Sequence, residues 1–267
     1  VVTNSVPFTA AVFPEGSAPS TGEPVYPRPP RAIAFKPIGL RGDVTAQAQL
    51  VSANFHHQLS ALIEYMAIQV ARAEERLLIY GDSSVNPNQI DGLLKQIQTN
   101  VIDRQGGALR WSDIVEAARA VWQAGGQPKY LVCGHREALT ISQLYLSIAR
   151  PTELGTVPYG AFVDRLITPY GELQVIVSPD MSPQTRTIGT TTVEASDILI
   201  LDTDNPVAGG TTVPGQAIEV HELLPMEVWI FPMQATLTTP VVVWEYIGLA
   251  VRAENFQAKI INIGPSA

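Results

Sequence analysis

Residues 45–82 read TAQAQLVSANFHHQLSALIEYMAIQVARAEERLLIYGD, and apolar side chains recur in this stretch at steps of three and four. That spacing places them on one face of a helix and predicts a single long amphipathic helix from about Thr45 to Tyr80. At about 1.5 Å per residue the helix would be roughly 50 Å long, which is more than the width of a small domain. We expect Thr45 to cap its start and Gly81 to end it in the left-handed conformation.

The apolar stripe of this helix predicts how the helix packs, because a long rod needs a flat, extended body to lie across. The side chains expected to pack against that body are Phe55, Leu59, Leu62, Met66, Val70 and Leu77. Away from the stripe, Glu74 and Glu75 are expected to pair with Arg72 and Arg76 at helical spacing. This pairing explains the carboxylates without any role in acid catalysis.

The segment before the helix is rich in proline: residues 1–37 hold eight of the 21 prolines. Proline removes a backbone donor and fixes φ, so the segment is expected to form an extended arm or a loose two-stranded ribbon. Its centre, residues 15–22, has the composition of a flexible turn. Residues 8–13 and 33–40 are apolar enough to be the two strands of the ribbon. A disordered tail is the alternative, although such a tail is not expected to carry so many large apolar residues.

The part of the chain after the helix mixes helices and strands. A helix is expected to start at Ser112, with Asp113 in its first turn and Ile114, Val121 and Trp122 on its buried face. A buried strand at 129–134 and another helix at about 135–149 follow. Beyond Pro151, β-branched residues dominate six further strand-like segments. The fold class is therefore α+β.

Composition limits the function. Charged residues make up 16% of the chain and hydrophobic residues 46%, whereas an average globular protein is about 25% charged. A large core explains this, and so does burial against copies of the same chain. The net charge is -8, and 13 of the 17 cations are scattered arginines, which argues against tight binding to a phosphate backbone.

No window is apolar enough for a membrane-spanning helix. Cys133 is the only cysteine, and its apolar surroundings indicate a buried small hydrophobe.

One motif suggests an enzyme. Leu77-Leu-Ile-Tyr-Gly-Asp-Ser-Ser84 resembles the first block of the Gly-Asp-Ser-Leu esterases, in which the serine, here Ser83, is the nucleophile. A serine nucleophile needs a base that a third group orients. The Asp-x-x-His motif that provides this base in those esterases is absent here. Adjacent His56 and His57 cannot share one metal from a helix face, and neither phosphate-binding glycine loop occurs. No catalytic residue, metal site or cofactor is therefore predicted.

Taken in order, the parts of the chain resemble the major capsid proteins of tailed phages, which share the Hong Kong 97-type fold. In that family a hairpin arm precedes a long spine helix, whose end leads through Gly-Asp to a Gly-Leu turn. The matching residues here are Glu74-Glu-Arg-Leu-Leu-Ile-Tyr-Gly-Asp82 and Asp91-Gly-Leu-Leu94. The helix, strand and helix between 112 and 148 match the family's next elements, and the strands around 240–251 and 256–261 resemble its closing sheet.

The resemblance implies a division of the chain: an extended arm and E-loop hairpin at 1–44, a peripheral (P) domain at 45–113 with the spine helix at about 45–80, an axial (A) domain at 114–215, and closing strands of the P-domain at 216–267. It also implies that the E-loop contacts a neighbouring subunit. The residues expected to make that contact are Phe13, Glu15, Ser17, Pro19, Val25, Tyr26, Arg28 and Arg31.

The function implied by this resemblance is geometric and not enzymatic. Copies of the chain would form pentamers and hexamers of an icosahedral shell around double-stranded DNA, without reading its sequence. The expected location is the virion, after assembly in the host cytoplasm, and the expected partners are the portal and decoration or scaffolding proteins, with no membrane. A related alternative is the shell of an encapsulin nanocompartment, and an alternative of another class is the esterase with Ser83.

Two departures from the family pattern qualify the resemblance. No lysine precedes Lys36, so the covalent lysine cross-link that some family members form between an E-loop and its neighbour is not expected. The sequence also lacks an initiator methionine and most of the arm that normally precedes the hairpin. Proteolytic removal of an upstream segment is the hypothesis that accounts for both absences.

Overall fold

The computed structural model describes residues 33–52, 57–148, 164–203 and 217–265. The elements in these residues are β1 (Lys36–Thr45), α1 (Ala46–Ser52), α2 (Gln58–Tyr80), α3 (Leu93–Gln96), β2 (Val101–Asp103), α4 (Trp111–Gln123), β3 (Tyr130–Cys133), α5 (His135–Ile148), β4 (Arg165–Thr168), β5 (Gly171–Val177), β6 (Gln184–Ile188), β7 (Thr191–Leu201), β8 (Ile218–Ile230), β9 (Thr238–Val251) and β10 (Ala258–Ile263). The mixture confirms the α+β class.

The long helix is not continuous from 45 to 80, so the prediction of a single helix was wrong. His57 is extended, with φ -75° and ψ 96°, and α2 begins only after it. The expected cap at Thr45 is present, because Thr45 Oγ1 accepts a hydrogen bond from the Ala48 amide at 3.2 Å, but it caps the seven-residue α1. His has a lower helix propensity than the Leu, Ala, Glu, Gln and Arg residues that make up most of α2.

Helix α2 packs its apolar stripe against a three-stranded sheet of order β1-β9-β8. Met66 and Val70 are almost fully buried, and Ile79, which lies outside the predicted set, is buried as well. These side chains share one core with Ile38 of β1 and with Val243 and Ile247 of β9. A carbon added at Gly42 of β1 would stand 2.9 Å from Met66 Sδ, so the helix and the strand approach closely there.

The three-stranded sheet is antiparallel. All ten residues of β1 pair with β9, from Lys36 opposite Ile247 to Thr45 opposite Thr238. Strand β8 pairs with the other edge of β9 and shifts register twice between Glu222 and Glu227. The predicted partner of residues 33–40, the segment 8–13, lies outside the described residues.

A larger, seven-stranded sheet has the order β2-β10-β7-β3-β5-β4, and β6 pairs with β7 beside this path. Neighbouring residues of its central strands point into two different cores. Ile198 and Ile200 of β7 lie in a core with α4 and α5, whereas Leu199 and Leu201 lie in the core of α2 and the three-stranded sheet. One sheet therefore joins the two cores.

Helices α4 and α5 cover the face of this sheet that carries Ile198 and Ile200, and both were predicted. Asp113 caps α4 by accepting a hydrogen bond from the Arg110 amide at 2.9 Å. Ile114 and Val121 are buried as expected. Trp122 is 56% exposed, contrary to expectation, and its ring contacts the ring of Tyr170 at 5.8 Å between centroids. Ala117 and Ala118 complete the buried face of α4.

Strand β10 differs from the predicted grouping. The strands around 240–251 and 256–261 were expected to lie in one closing sheet, but β9 lies in the three-stranded sheet, whereas β10 pairs with β2 and β7 in the larger sheet. Ala258, Ile260 and Ile263 fill the core beneath α4 and α5. Among the described residues, none of the helices is both long and apolar enough to span a membrane.

Truncation of Met66 tests the packing of α2. Met66→Ala removes a side chain that is 1% exposed, so we expect a loss of about 2–5 kcal/mol in the free energy of unfolding. Ile68→Ala on the same helix is the control, since Ile68 is 53% exposed and its truncation should cost under about 1 kcal/mol. Urea denaturation measures both, and equal losses would contradict the described packing.

Candidate functional site

The turn after α2 contains Ser83, the nucleophile of the esterase alternative. Its hydrogen bonds belong to the turn itself: the Ser83 amide donates to Asp91 Oδ1 at 2.9 Å, and the Ser84 amide donates to Asp82 Oδ1 at 2.8 Å. The Ser84 hydroxyl also donates to Asp82. Asp82 and Asp91 therefore bind backbone and neighbouring serines, and none of these bonds brings a base to Ser83.

The charge of Asp82 is stabilised within the same turn. Hydrogen bonds from the Ser84 side chain and amide lower the pKa of Asp82 to about 2, and the nearby Lys95 adds to this effect. Lys95 Nζ lies 3.1 Å from Asp82 Oδ1 and donates to Ser84 Oγ at 2.9 Å. A carboxylate with so low a pKa is a poor general base at neutral pH.

Two glycines allow this turn to close against its neighbour. The Gly92 amide donates to the Gly81 carbonyl at 2.8 Å, and an added carbon at Gly81 would stand 2.3 Å from the Ile90 carbonyl oxygen. Gly81 has φ -54° and ψ 137°, so the expected left-handed conformation was wrong. Glycine is required here by the close approach of two backbones.

A small pocket of about 210 Å³ lies beside this turn, between α3 and the larger sheet. The charged groups that line it are largely paired with each other. Lys95 pairs with Asp82, and Arg186 makes two hydrogen bonds to Asp197, at 2.7 and 2.6 Å. Lys259 donates to the Leu94 carbonyl at 2.7 Å. Of these contacts, the hydrogen bond from Lys259 of β10 connects the larger sheet to α3.

The histidines of the described residues differ in their positions and partners. His57 precedes α2 and His135 begins α5, and both are exposed. His221 Nε2 lies 3.0 Å from Glu219, which also pairs with Arg252 at 2.6 Å. In the residues that the structure describes, no group of three or more His, Cys, Asp or Glu residues could hold a metal ion.

Cys133 is fully buried, as predicted. Burial, together with the nearby Glu137, raises the pKa of its thiol to about 12. A thiol that stays protonated at neutral pH is not a nucleophile, so Cys133 acts as a core side chain.

The expected ion pairs of Glu74 and Glu75 with Arg72 and Arg76 are not among those of the described residues. Glu75 instead accepts a hydrogen bond from the Ser178 hydroxyl at 2.6 Å, which ties α2 to the segment after β5. Burial, and secondarily Glu222, raises the pKa of Glu74. Tertiary contacts have replaced the local pairs that helical spacing suggests.

An exposed apolar surface lies at the end of the β8–β9 hairpin, residues 228–237. Its exposed apolar side chains are Val228, Trp229, Ile230, Phe231, Met233 and Leu237. No charged residue occurs between Glu227 and Glu245. This surface was not predicted from the sequence. Its signal there is the uncharged run, in which apolar and polar side chains do not alternate as they do in a half-buried strand.

Contacts between aromatic rings and one positive φ angle characterise this hairpin end. The Trp229 ring meets Trp244 edge to face at 4.9 Å and Phe231 at 6.5 Å. Leu237 closes the turn with φ 56° and is 64% exposed. A leucine in the left-handed region is costly, and within the described residues most of this side chain is exposed.

The predicted contact residues divide into two groups. Phe13, Glu15, Ser17, Pro19, Val25, Tyr26, Arg28 and Arg31 lie outside the described residues, as does Phe55. Of the α2 set, Met66 and Val70 are buried against the three-stranded sheet, and Leu62 and Leu77 are partly buried against the same core. Leu59 is half-buried at the start of α2.

Comparison with known proteins identifies one family. The family model described as SU10 major capsid protein matches residues 43–205, which is more than half of the chain. A comparison with curated proteins found no match.

Among solved structures, the capsid of an empty GTA particle has a TM-score of 0.63 at 15% identity and covers 99% of this chain and 84% of its own. The SrpI encapsulin of Synechococcus elongatus PCC 7942 has a TM-score of 0.61 at 15% identity and covers 86% and 74%. A structure of Mycobacterium phage Adephagia has a TM-score of 0.53 at 11% identity and covers 97% and 82%.

Substitutions in the glycine-aspartate turn separate its structural role from a catalytic one. Gly92→Ala places a carbon 2.7 Å from the Gly81 nitrogen and 2.8 Å from two carbonyl oxygens, so we expect a loss of roughly 2–4 kcal/mol in unfolding free energy. Ser83→Ala should leave the stability within about 1 kcal/mol. Denaturation and ester hydrolysis are measured for both variants. Ester hydrolysis by the parent chain that disappears in Ser83→Ala would restore the esterase hypothesis.

Proposed function

The chain belongs to the SU10 major capsid protein family, and we propose that its copies assemble through pentamers and hexamers into an icosahedral shell that encloses double-stranded DNA. It is a tailed-phage major capsid protein with the Hong Kong 97-type fold. A protein of this kind acts in many copies, so its function depends on contacts between subunits. The proposed location is the virion, with assembly in the host cytoplasm.

The observation that carries the proposal is the uncharged end of the β8–β9 hairpin. From residue 228 to 244 the chain has no charge, and Trp229, Phe231 and Leu237 are 48%, 40% and 64% exposed. The cores of protein interfaces are depleted of charge and enriched in aromatic residues and methionine. A second copy of this chain is the occupant we propose for this surface, because a shell protein meets copies of itself at every edge.

Helix α1 extends the same surface. The Ala46 amide donates to the Leu237 carbonyl at 2.8 Å, so α1 starts beside the hairpin end. None of its residues is buried, and Leu50 and Val51 are 78% and 73% exposed. An apolar helix that contributes nothing to the core of its own subunit is suited to an interface with another.

The arm supplies a second proposed contact. Phe13, Glu15, Ser17, Pro19, Val25, Tyr26, Arg28 and Arg31 are proposed to lie over a neighbouring subunit as an E-loop. The proposed domains are the arm at 1–44, the P-domain at 45–113 and 216–267, and the A-domain at 114–215. Sheet membership supports moving β2 and β10 to the A-domain, because both strands belong to the seven-stranded sheet.

The interior of the shell is proposed to enclose DNA without binding it tightly. The net charge of -8 and the scattered arginines support this, because a dense basic patch would be needed to neutralise phosphates. A portal and decoration or scaffolding proteins are the further proposed partners. We propose no catalytic activity, because the bonds of the Ser83 turn are structural.

An encapsulin-like shell is the second candidate, since one of the similar structures is the holo-SrpI encapsulin complex. The two candidates share a fold and differ in cargo. Particles purified from cells of the natural source distinguish them: packaged double-stranded DNA supports the phage capsid, and protein cargo without DNA supports the encapsulin.

Leu237→Asn tests the hairpin end. Asparagine tolerates φ 56° better than leucine does, so the free energy of unfolding should not fall. Loss of the apolar contact should raise the concentration needed for assembly at least about tenfold. Val85→Asn is the control, because Val85 is 81% exposed on a different loop. Electron microscopy and sedimentation measure assembly, and normal particles at the normal concentration would contradict this role of the hairpin.

Charge reversal at Glu15 tests the arm. Glu15→Arg lies at the expected tip of the E-loop, so it should spare folding and impair assembly. Unfolding of the isolated subunit and the heat resistance of particles are measured together. Particles that form normally and resist heat as the parent particles do would count against the arm as an inter-subunit contact.

A further inference from the structure

One carboxyl group is buried inside the apolar core between α2 and the three-stranded sheet. Glu245 of β9 stands between Val243 and Ile247 on the strand face that is buried, and it is 4% exposed. Its Oε1 atom is buried and has no hydrogen-bond partner. A buried, unpaired carboxylate is costly, so this position favours the protonated form.

The groups that face Glu245 add negative charge. Glu74 approaches from α2, and Glu222 lies on the same face of β8, where it pairs with Ile247 in the register. From β1, the residue opposite Glu245 is the uncharged Ile38, and Lys36, two residues earlier on the same strand face, lies opposite Ile247. Among the described residues, none of the ion pairs involves Glu245, Glu74 or Glu222. Glu245 is therefore under the influence of a carboxyl group on α2 and another on β8, and within the described residues it has no ion-pair partner.

The electrostatics agree with this geometry. Burial raises the pKa of Glu245 to about 7, and Glu74 and Glu222 contribute to the increase. A metal ion does not explain the cluster, because no metal-binding group of three ligands exists among the described residues. A proton on Glu245 removes its charge without any partner from the described residues.

We propose that Glu245, with Glu74 and Glu222, is a proton-dependent contact that holds α2 against the three-stranded sheet when protonated and loosens that packing when ionised. Ionisation leaves a charge at an oxygen that water does not reach in the packed form, so separation of α2 from β8 and β9 is the way to hydrate it. The inference concerns the subunit itself and goes beyond its assembly into a shell.

The sign of the pH dependence follows from linkage. The pKa of Glu245 is about 7 in the packed form and near its ordinary 4.5 in the open form. The packed form is therefore fully favoured below pH 4.5. Between pH 4.5 and about pH 7 the ratio of packed to open form falls by up to about tenfold per pH unit, and above about pH 7 the ratio no longer changes. From pH 5 to pH 8 the ratio of packed to open form should fall roughly 50-fold.

Hydrogen exchange of the full chain tests the proposal. Exchange of the amides in 66–80 and 241–249 is measured at pH 5 and pH 8, divided by the intrinsic rate at each pH, with the oligomeric state checked by light scattering. In the parent chain, protection should fall roughly 50-fold. In Glu245→Gln, which imitates the protonated group, protection should stay high and change less than about fivefold. Glu64→Gln is the control, since Glu64 lies on the exposed side of α2, and it should retain the parent behaviour.

A second variant keeps the test valid if Glu245→Gln does not fold. Glu222 is exposed, so Glu222→Gln is expected to fold, and removal of its charge should shift the midpoint of the protection change to lower pH. The proposal is overturned if the parent chain shows no pH dependence, if folded Glu245→Gln retains it, or if Glu222→Gln leaves the midpoint unmoved. None of these outcomes depends on whether the chain forms shells.

Discussion

Strands β3 and β7 have apolar side chains on both faces, and both faces must be covered before the chain can bury its core. Leu131, Cys133, Ile198 and Ile200 lie under α4 and α5, whereas Tyr130, Val132, Leu199 and Leu201 lie against α2 and the three-stranded sheet. Adjacent residues of one strand point in opposite directions, so the two halves of the fold cannot be displaced independently. The hydrogen bonds from Lys259 to the Leu94 carbonyl and from Ser178 to Glu75 connect the larger sheet to α3 and α2.

Buried charges in this protein are mostly neutralised by a partner. Asp197 is bound by both nitrogens of Arg186, and Glu137 pairs with Arg136, which also donates to the carbonyl of Ile263. Such pairs offset the cost of removing charge from water. Glu245 differs from these residues, since none of the ion pairs of the described residues includes it, and burial together with Glu74 and Glu222 raises its pKa. Most buried polar contacts therefore fix one packing, and this cluster makes one packing sensitive to protonation.

The surface follows a different rule from the core. Residues 228–237 keep large apolar side chains in solvent, and α1 adds Leu50 and Val51 next to them. A monomer would gain solubility by replacing these side chains with charged ones. Their retention, together with membership of a capsid family, supports the proposed contact of this surface with other copies.

Local patterns in the sequence determined the elements that depend on neighbours along the chain. The positions of α4, β3 and α5, the stripe of α2 and the β-rich end could be predicted from periodicity, caps and glycine breaks, and the order of motifs was enough to suggest the family. Contacts between residues far apart in sequence determined the rest: the pairing of β1 with β9, the place of β10 in the larger sheet, the hydrogen bond from Ser178 to Glu75, and the burial of Glu245 under the influence of Glu74 and Glu222. Periodicity reports which face of an element is apolar, but it does not report which surface will cover that face. Only the tertiary structure decided that Val243 and Ile247 meet α2, and that the carboxyl group between them is excluded from water.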